Sequence, residues 1–176
     1  LIRLPGTTPR FEVIGPGPQV KEIWQTAEGQ AQPATRGLWS LYEIRAGVPT
    51  LYPQTRESFV PQMANMQLID GVSFTKGCYT GQEVVARMQY LGKLKRRMYL
   101  AHVESTTSPQ PGDELFARLS TSGQGTGKVV EAQANGDGYD LLAVIEIASA
   151  EEDQVLLGEQ GSPLEIVNLP YPFAES

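Results

Sequence analysis

The groups best able to do chemistry are crowded into eight consecutive residues, Lys76-Gly77-Cys78-Tyr79-Thr80-Gly81-Gln82-Glu83. They include the only cysteine of the chain, an amine, a phenol and a carboxylate, punctuated by two glycines. Beyond them Val84, Val85, Met88 and Leu91 recur at near-helical spacing. Thr80 is the expected N-cap of that helix, Glu83 completes a capping box, and Gly92 suits its C-terminal stop. Upstream, Val72-Ser73-Phe74 alternates apolar and polar and reads as a short strand end. Cys78 is therefore expected on a turn at or just before a helix N-terminus, where unpaired N–H groups and the positive end of the helix dipole favour an anion. Lys76 adds a cation and is expected to favour the thiolate. Such surroundings make a cysteine reactive toward disulfides, oxidants and soft metals. The competing reading is a small buried packing residue, with Gly77 and Gly81 as plain turn punctuation.

The remaining elements must position this stretch. Leu1 to Gly15 reads as a hairpin with its turn at Pro5-Gly6. Pro18 to Gly29 reads as an amphipathic helix, with Val20, Ile23, Trp24 and Ala27 on one face and Trp24 expected in the core. Leu38 to Gly47 fits two patterns. Leu38, Leu41, Tyr42 and Arg45 share a helical face, whereas Trp39, Leu41, Glu43 and Arg45 share a strand face, and the strand is preferred. Gln62 to Leu68 reads as a short helix opened by Pro61. After Gly92 the texture changes to short strands, at Lys93 to Glu104, Glu114 to Leu119, Gly127 to Ala132, Tyr139 to Ala148 and Pro163 to Val167. Turns are marked by Pro109 to Asp113, Ser122 to Gly125 and Asn135 to Gly138. This spacing predicts a small antiparallel barrel or sandwich. Glu151-Glu152-Asp153 is a helix start or an acidic turn.

Composition excludes several classes. The chain has 176 residues, enough for one or two domains with a substantial core. No apolar run is long enough to span a membrane. The start, Leu1-Ile2-Arg3-Leu4, lacks a methionine and a signal pattern and reads as a cut into a longer protein. One cysteine and one histidine exclude an internal disulfide and a cysteine-rich zinc site, and a reducing cytoplasmic setting is expected. His102 falls in a strand pattern and reads as a half-exposed strand residue rather than a catalytic partner of Cys78. The net charge of −6 argues against direct nucleic-acid binding. Charge is unevenly spread: Lys76, Arg87, Lys93, Lys95, Arg96 and Arg97 face only Glu83 within their stretch, whereas no Lys or Arg follows Val129. The basic block is either a solvated surface or a small anion-binding patch.

The stretch Lys76 to Glu83, continued by Val84-Val85-Ala86-Arg87, resembles the signature of the YgfZ family of folate-binding proteins, relatives of the aminomethyltransferase (T-protein) of glycine cleavage. Two further blocks, Glu43 to Pro49 and Phe59 to Asn65, extend the resemblance over roughly Trp39 to Arg97. It implies an α+β chain: the C-terminal part of an aminomethyltransferase-like folate-binding domain over residues 1–93, then a small antiparallel β-barrel over residues 94–176. It implies a tetrahydrofolate or related folate as cofactor. Trp39 matches a tryptophan of the family's folate site and would stack on a flat ring, and the Gln62–Asn65 region would border the folate cavity. Cys78 would be the functional thiol, with Lys76 beside it. Tyr79 would be a second aromatic wall or a packing residue, Gln82 and Glu83 would cap the helix or hydrogen-bond the ligand, and Arg87 would hold an anion or pair with Glu83.

Three functions follow. The first is a folate-binding accessory protein that supports iron–sulfur enzymes, including enzymes that modify tRNA; one cysteine per chain cannot hold a cluster alone. The second is a tetrahydrofolate-dependent aminomethyltransferase, against which the Lys-Gly-Cys motif counts as a mark of the YgfZ branch. The third is a catalytically silent interaction domain with Cys78 buried.

Overall fold

The computed structural model describes residues 1–117, 125–152 and 154–173. The chain runs β1 (Ile2–Leu4), β2 (Arg10–Glu12), α1 (Gly17–Glu28), α2 (Arg36–Arg45), three single 3-10 turns between residues 53 and 68, then α3 (Gln82–Tyr90). It continues with β3 (Arg96–Val103), β4 (Glu114–Ala117), β5 (Gly127–Asn135), β6 (Gly138–Glu146), α4 (Ile147–Glu152), β7 (Val155–Leu157) and β8 (Leu164–Val167). The architecture is α+β. β1 and β2 form the expected hairpin, and the other six strands form one antiparallel sheet in the order β7-β4-β5-β6-β3-β8. The sheet curls into a half-barrel, and an isolated bridge between Leu156 and Pro163 draws in its β7 end.

The sheet is buried on both faces at its centre. One face carries Ala101, Val103, Leu115, Val129, Leu141, Ala143 and Ile145 in a continuous apolar cluster. The other carries Met98, Leu100, Val130, Leu142 and Val144, covered by Ile44 of α2 and by Phe59, Met63 and Leu169. This explains why Leu141 to Ile145 is an unbroken apolar run rather than an alternating one: a strand covered on both sides has no solvent face.

Several sequence expectations need correction. Residues 38–45 are helical, not a strand. Thr35 caps α2 by accepting a hydrogen bond from Leu38 N–H at 3.2 Å. The buried residues Leu41 and Ile44 then fall three apart on its inner face. Both periodicities placed Leu41 inward, and only the packing surface offered by the sheet decided between them. Trp24 is not a core residue: α1 has no buried residue, and the indole is 56% exposed with its N–H donating to Glu28 at 2.6 Å. An amphipathic pattern shows that one face seeks cover, and among the described residues nothing covers this one. Val72 to Phe74 is not a strand, since no neighbouring edge pairs with it. The expected helix at 62–68 is two 3-10 turns, Pro61–Ala64 and Met66–Leu68, separated by Asn65 in the left-handed region. β7 was missed for its brevity, and residues 147–148 belong to α4, not to a strand. The expected turn at Ser122 to Gly125, apart from Gly125, the end of the strand expected through Leu119, and Asp153 of the acidic stretch lie outside the described residues.

A polar network ties α2 to the sheet. Asp140 of β6 accepts from Arg45 Nε at 2.7 Å and Asn135 Nδ2 at 3.0 Å, and its Oδ1 lies 2.8 Å from His102 Nδ1. Burial alone would raise the Asp140 carboxyl, but the hydrogen bonds from His102, Arg45 and Asn135 outweigh it and hold the group below its ordinary value of 3.8. A depressed carboxylate stabilises the fold above its unfolded pKa and loses that contribution as pH falls through the folded value. Urea midpoints are therefore expected to hold from pH 7 down to about 4 on this account and to fall below it. Asp140→Asn should weaken this acid dependence and cost about 1–3 kcal/mol at pH 7.

Candidate functional site

The Cys78 loop is built by local bonds and then docked. Ser73 Oγ accepts from the N–H groups of Thr75 and Lys76 at 3.4 and 3.3 Å. Downstream, Gln82 N–H donates to Tyr79 carbonyl at 3.2 Å. The helix then starts at Gln82, with Gly81 rather than Thr80 at the cap position. The Gly81 φ of +84° lies in the left-handed region, and no side chain caps the helix. Thr80 and Glu83 thus form no capping box, because a left-handed glycine turns the chain one residue later than expected. The cysteine still precedes the helix start by four residues.

Two contacts dock α3 and the loop. Val85 is buried, and its carbonyl accepts from Gln62 Nε2 at 2.6 Å. Phe74 meets Tyr90 edge-on with ring centroids 6.3 Å apart. The Gln62–Asn65 turn is itself anchored: Asn65 Nδ2 donates to Met98 carbonyl of β3 at 2.8 Å. Both amides are buried, so these residues fasten the loop to the sheet.

The docked loop forms one side of a cavity of about 680 Å³. That volume falls within the usual range for small-molecule sites. Leu51, Phe59, Met66 and Val130 supply apolar wall, and the lining also includes Lys76, Cys78 and Tyr79, which carry an amine, a thiol and a phenol. Cys78 is exposed, so it is not a packing residue, and the reading that buries it is overturned. A larger depression of about 900 Å³ is lined by Glu104, Asp113, Glu114 and Asp137 with no lysine, arginine, histidine or cysteine, and offers none of this chemistry.

The other expected site residues do not meet here. Trp39 lies on α2, 40% exposed, with the Arg10 guanidinium 5.5 Å over its ring and Arg10 paired with Glu43. Gln82, Glu83 and Arg87 lie on α3 outside the cavity lining, and Glu83 and Arg87 form no ion pair with one another. The basic block is divided. Arg96 donates to Gly125 carbonyl at 3.4 Å, Arg97 lies 4.3 Å over the Phe173 ring, and only Lys76 of the block lines the cavity.

Behind the cavity wall stands a residue the sequence did not announce. Glu131 of β5 is 2% exposed. Its Oε1 accepts from Thr50 N–H at 2.9 Å and its Oε2 from Tyr52 O–H at 3.5 Å. A β-bulge shifts the register between Val129 and Glu131, and Glu131 pairs with Leu142 on the face covered by α2. Sequence alternation does not reveal a bulge, so no pattern placed this carboxyl inside.

No family model matches the chain. Curated relatives do. It is 35% identical over 170 residues to the tRNA-modifying protein YgfZ of Sodalis glossinidius (strain morsitans), covering 95% of this chain and 52% of that protein. It is 40% identical over 152 residues to the tRNA-modifying protein YgfZ of Aliivibrio fischeri (strain MJ11), covering 86% and 47%. An uncharacterized protein of Haemophilus influenzae is 39% identical over 142 residues, covering 78% and 50%. The chain spans about half the length of these relatives.

Proposed function

We propose that this chain, which belongs to the YgfZ family, contributes to a folate-binding accessory protein for tRNA modification, with Cys78 as its functional thiol. The observation that carries the reading is the exposed thiol on the wall of a cavity of about 680 Å³, flanked by Lys76 and Tyr79. The name of two relatives supports the link to tRNA modification. The residues present fit a folate in kind. Apolar walls and a phenol suit a flat heteroaromatic ring, and the Lys76 ammonium suits a carboxylate tail as a point charge. The aminomethyltransferase-like ancestry of the Cys78 region and the role in supporting iron–sulfur enzymes belong to the same proposal. With one cysteine, the chain would take part in cluster chemistry only through a transient bond or a shared ligand. The acidic net charge fits a protein that serves tRNA-modifying enzymes rather than one that grips tRNA.

Alkylation of Cys78 tests it directly, since a thiol reagent can report only this residue. Folinic acid is expected to slow alkylation in a saturable way, and Lys76→Met to weaken that protection. Alkylation that is fast but indifferent to folinic acid would remove the ligand from the proposal and keep the thiol.

A further inference from the structure

Three charged residues among those described are buried, and two of them have a counter-charge: Arg10 pairs with Glu43, and Asp140 with Arg45. Glu131 has none among the described residues. An isolated buried carboxyl is costly unless its hydrogen bonds are satisfied. Both of its donors come from one short segment, Thr50 and Tyr52. That segment is cavity wall: Pro49, Thr50, Leu51 and Thr55 line the space that holds Cys78. Val130, the residue before Glu131 on the bulge, lines the same space. The carboxyl therefore straps the wall at 49–55 to β5 from behind.

We propose that Glu131 is a positioning residue for the Cys78 cavity, and that gain or loss of its proton sets how tightly the 49–55 wall is held. Burial first, and then the nearby charge of Glu43, push the carboxyl above its ordinary value, although the bonds from Thr50 and Tyr52 pull the other way. The groups that face it are Tyr52 of the wall and Glu43 of α2, with apolar Leu142 opposite on β6; Arg36 of α2 acts on Tyr52. The neutral acid is at home behind a closed wall. The carboxylate, without a counter-ion, gains from water, and the wall must give way to admit it. A rise in pH would thus loosen the cavity through its wall. The strap acts on the cavity wall alone, whatever ligand the cavity takes.

The test compares two maleimides of the same chemistry and different bulk, N-methylmaleimide and a pyrene-bearing maleimide, reacting with Cys78 in the whole chain. The thiolate attacks the double bond of both, so the amount of thiolate cancels in the ratio of their rates. In the wild-type chain the bulky-to-small ratio is expected to rise about three- to tenfold as pH is raised upward from the ordinary carboxylate range, the change one hydrogen bond allows. Glu131→Gln keeps an acceptor for Thr50 N–H and removes the titration, so its ratio should stay low and flat. Glu131→Leu removes the strap, and its ratio should be high at every pH. A wild-type ratio that does not move with pH overturns the proposal, as does a Glu131→Gln ratio that climbs in parallel with the wild type. These two proteins suffice for the test if the leucine variant fails to fold.

Discussion

Cys78→Ser is expected to abolish function while leaving the fold intact. On the proposed function, the polypeptide that carries this chain restores tRNA modification in a bacterium lacking its own YgfZ-family protein, and the serine variant should leave the modified nucleosides at the level of the uncomplemented strain. The structure makes this a clean experiment. The side chain is exposed, so exchanging sulfur for oxygen should change stability by less than about 0.5 kcal/mol. A hydroxyl has the shape of the thiol but neither its acidity nor its affinity for sulfur and soft metals. Mass spectrometry of digested tRNA gives the readout, and a urea titration of the purified variant gives the control. Full modification by the serine variant would show that the thiol does no chemistry, and would leave the motif a role in shaping the cavity.

Gly47→Val should cause the largest loss of stability of any change considered. Gly47 ends the turn after α2 with a φ of +68°, a conformation strained for any residue with a side chain. A β-carbon there would also lie 2.6 Å from the Tyr171 hydroxyl and 2.7 Å from Leu169 Cδ2. Tyr171 packs against this turn because its hydroxyl donates to Gly47 carbonyl at 2.8 Å. Backbone strain of about 1–3 kcal/mol and overpacking of about 1–3 kcal/mol together predict a loss of roughly 2–6 kcal/mol, a large part of the stability of an ordinary domain. The urea midpoint is the measure. Gly47 leads directly into Val48 and the cavity wall, so the surviving folded fraction should also show altered alkylation of Cys78. A midpoint within error of wild type would mean that residues 169–171 do not press on this turn.

Much of the candidate site was legible in the chain. The crowding of a lone cysteine, a lysine and two glycines ahead of a helical repeat marked the segment, and its resemblance to the YgfZ signature agrees with the relatives found. The antiparallel strands could be read from apolar runs broken by Gly, Pro and Asn turns, because those signals are local. The errors have a common cause. Residues 38–45 satisfied a helical and an extended pattern at once, and the sheet that offered Ile44 a place resolved them. Thr80 has the chemistry of an N-cap, but the left-handed Gly81 took the position. Trp24 lay on an apolar stripe, which states a preference for burial and does not supply a partner.

By itself the sequence determined which residues carry reactive groups, where most strands of the large sheet fall, and which family the chain joins, since side-chain chemistry and short-range periodicity are properties of neighbouring residues. Only the tertiary structure decided that Lys76, Cys78 and Tyr79 share a cavity while Trp39, Gln82, Glu83 and Arg87 lie outside its lining. It alone brought Glu131 behind Thr50, eighty-one positions away along the chain. A bulge, a crossing helix and the closure of a sheet are settled by competition among distant surfaces for burial, and no window of adjacent residues contains that competition.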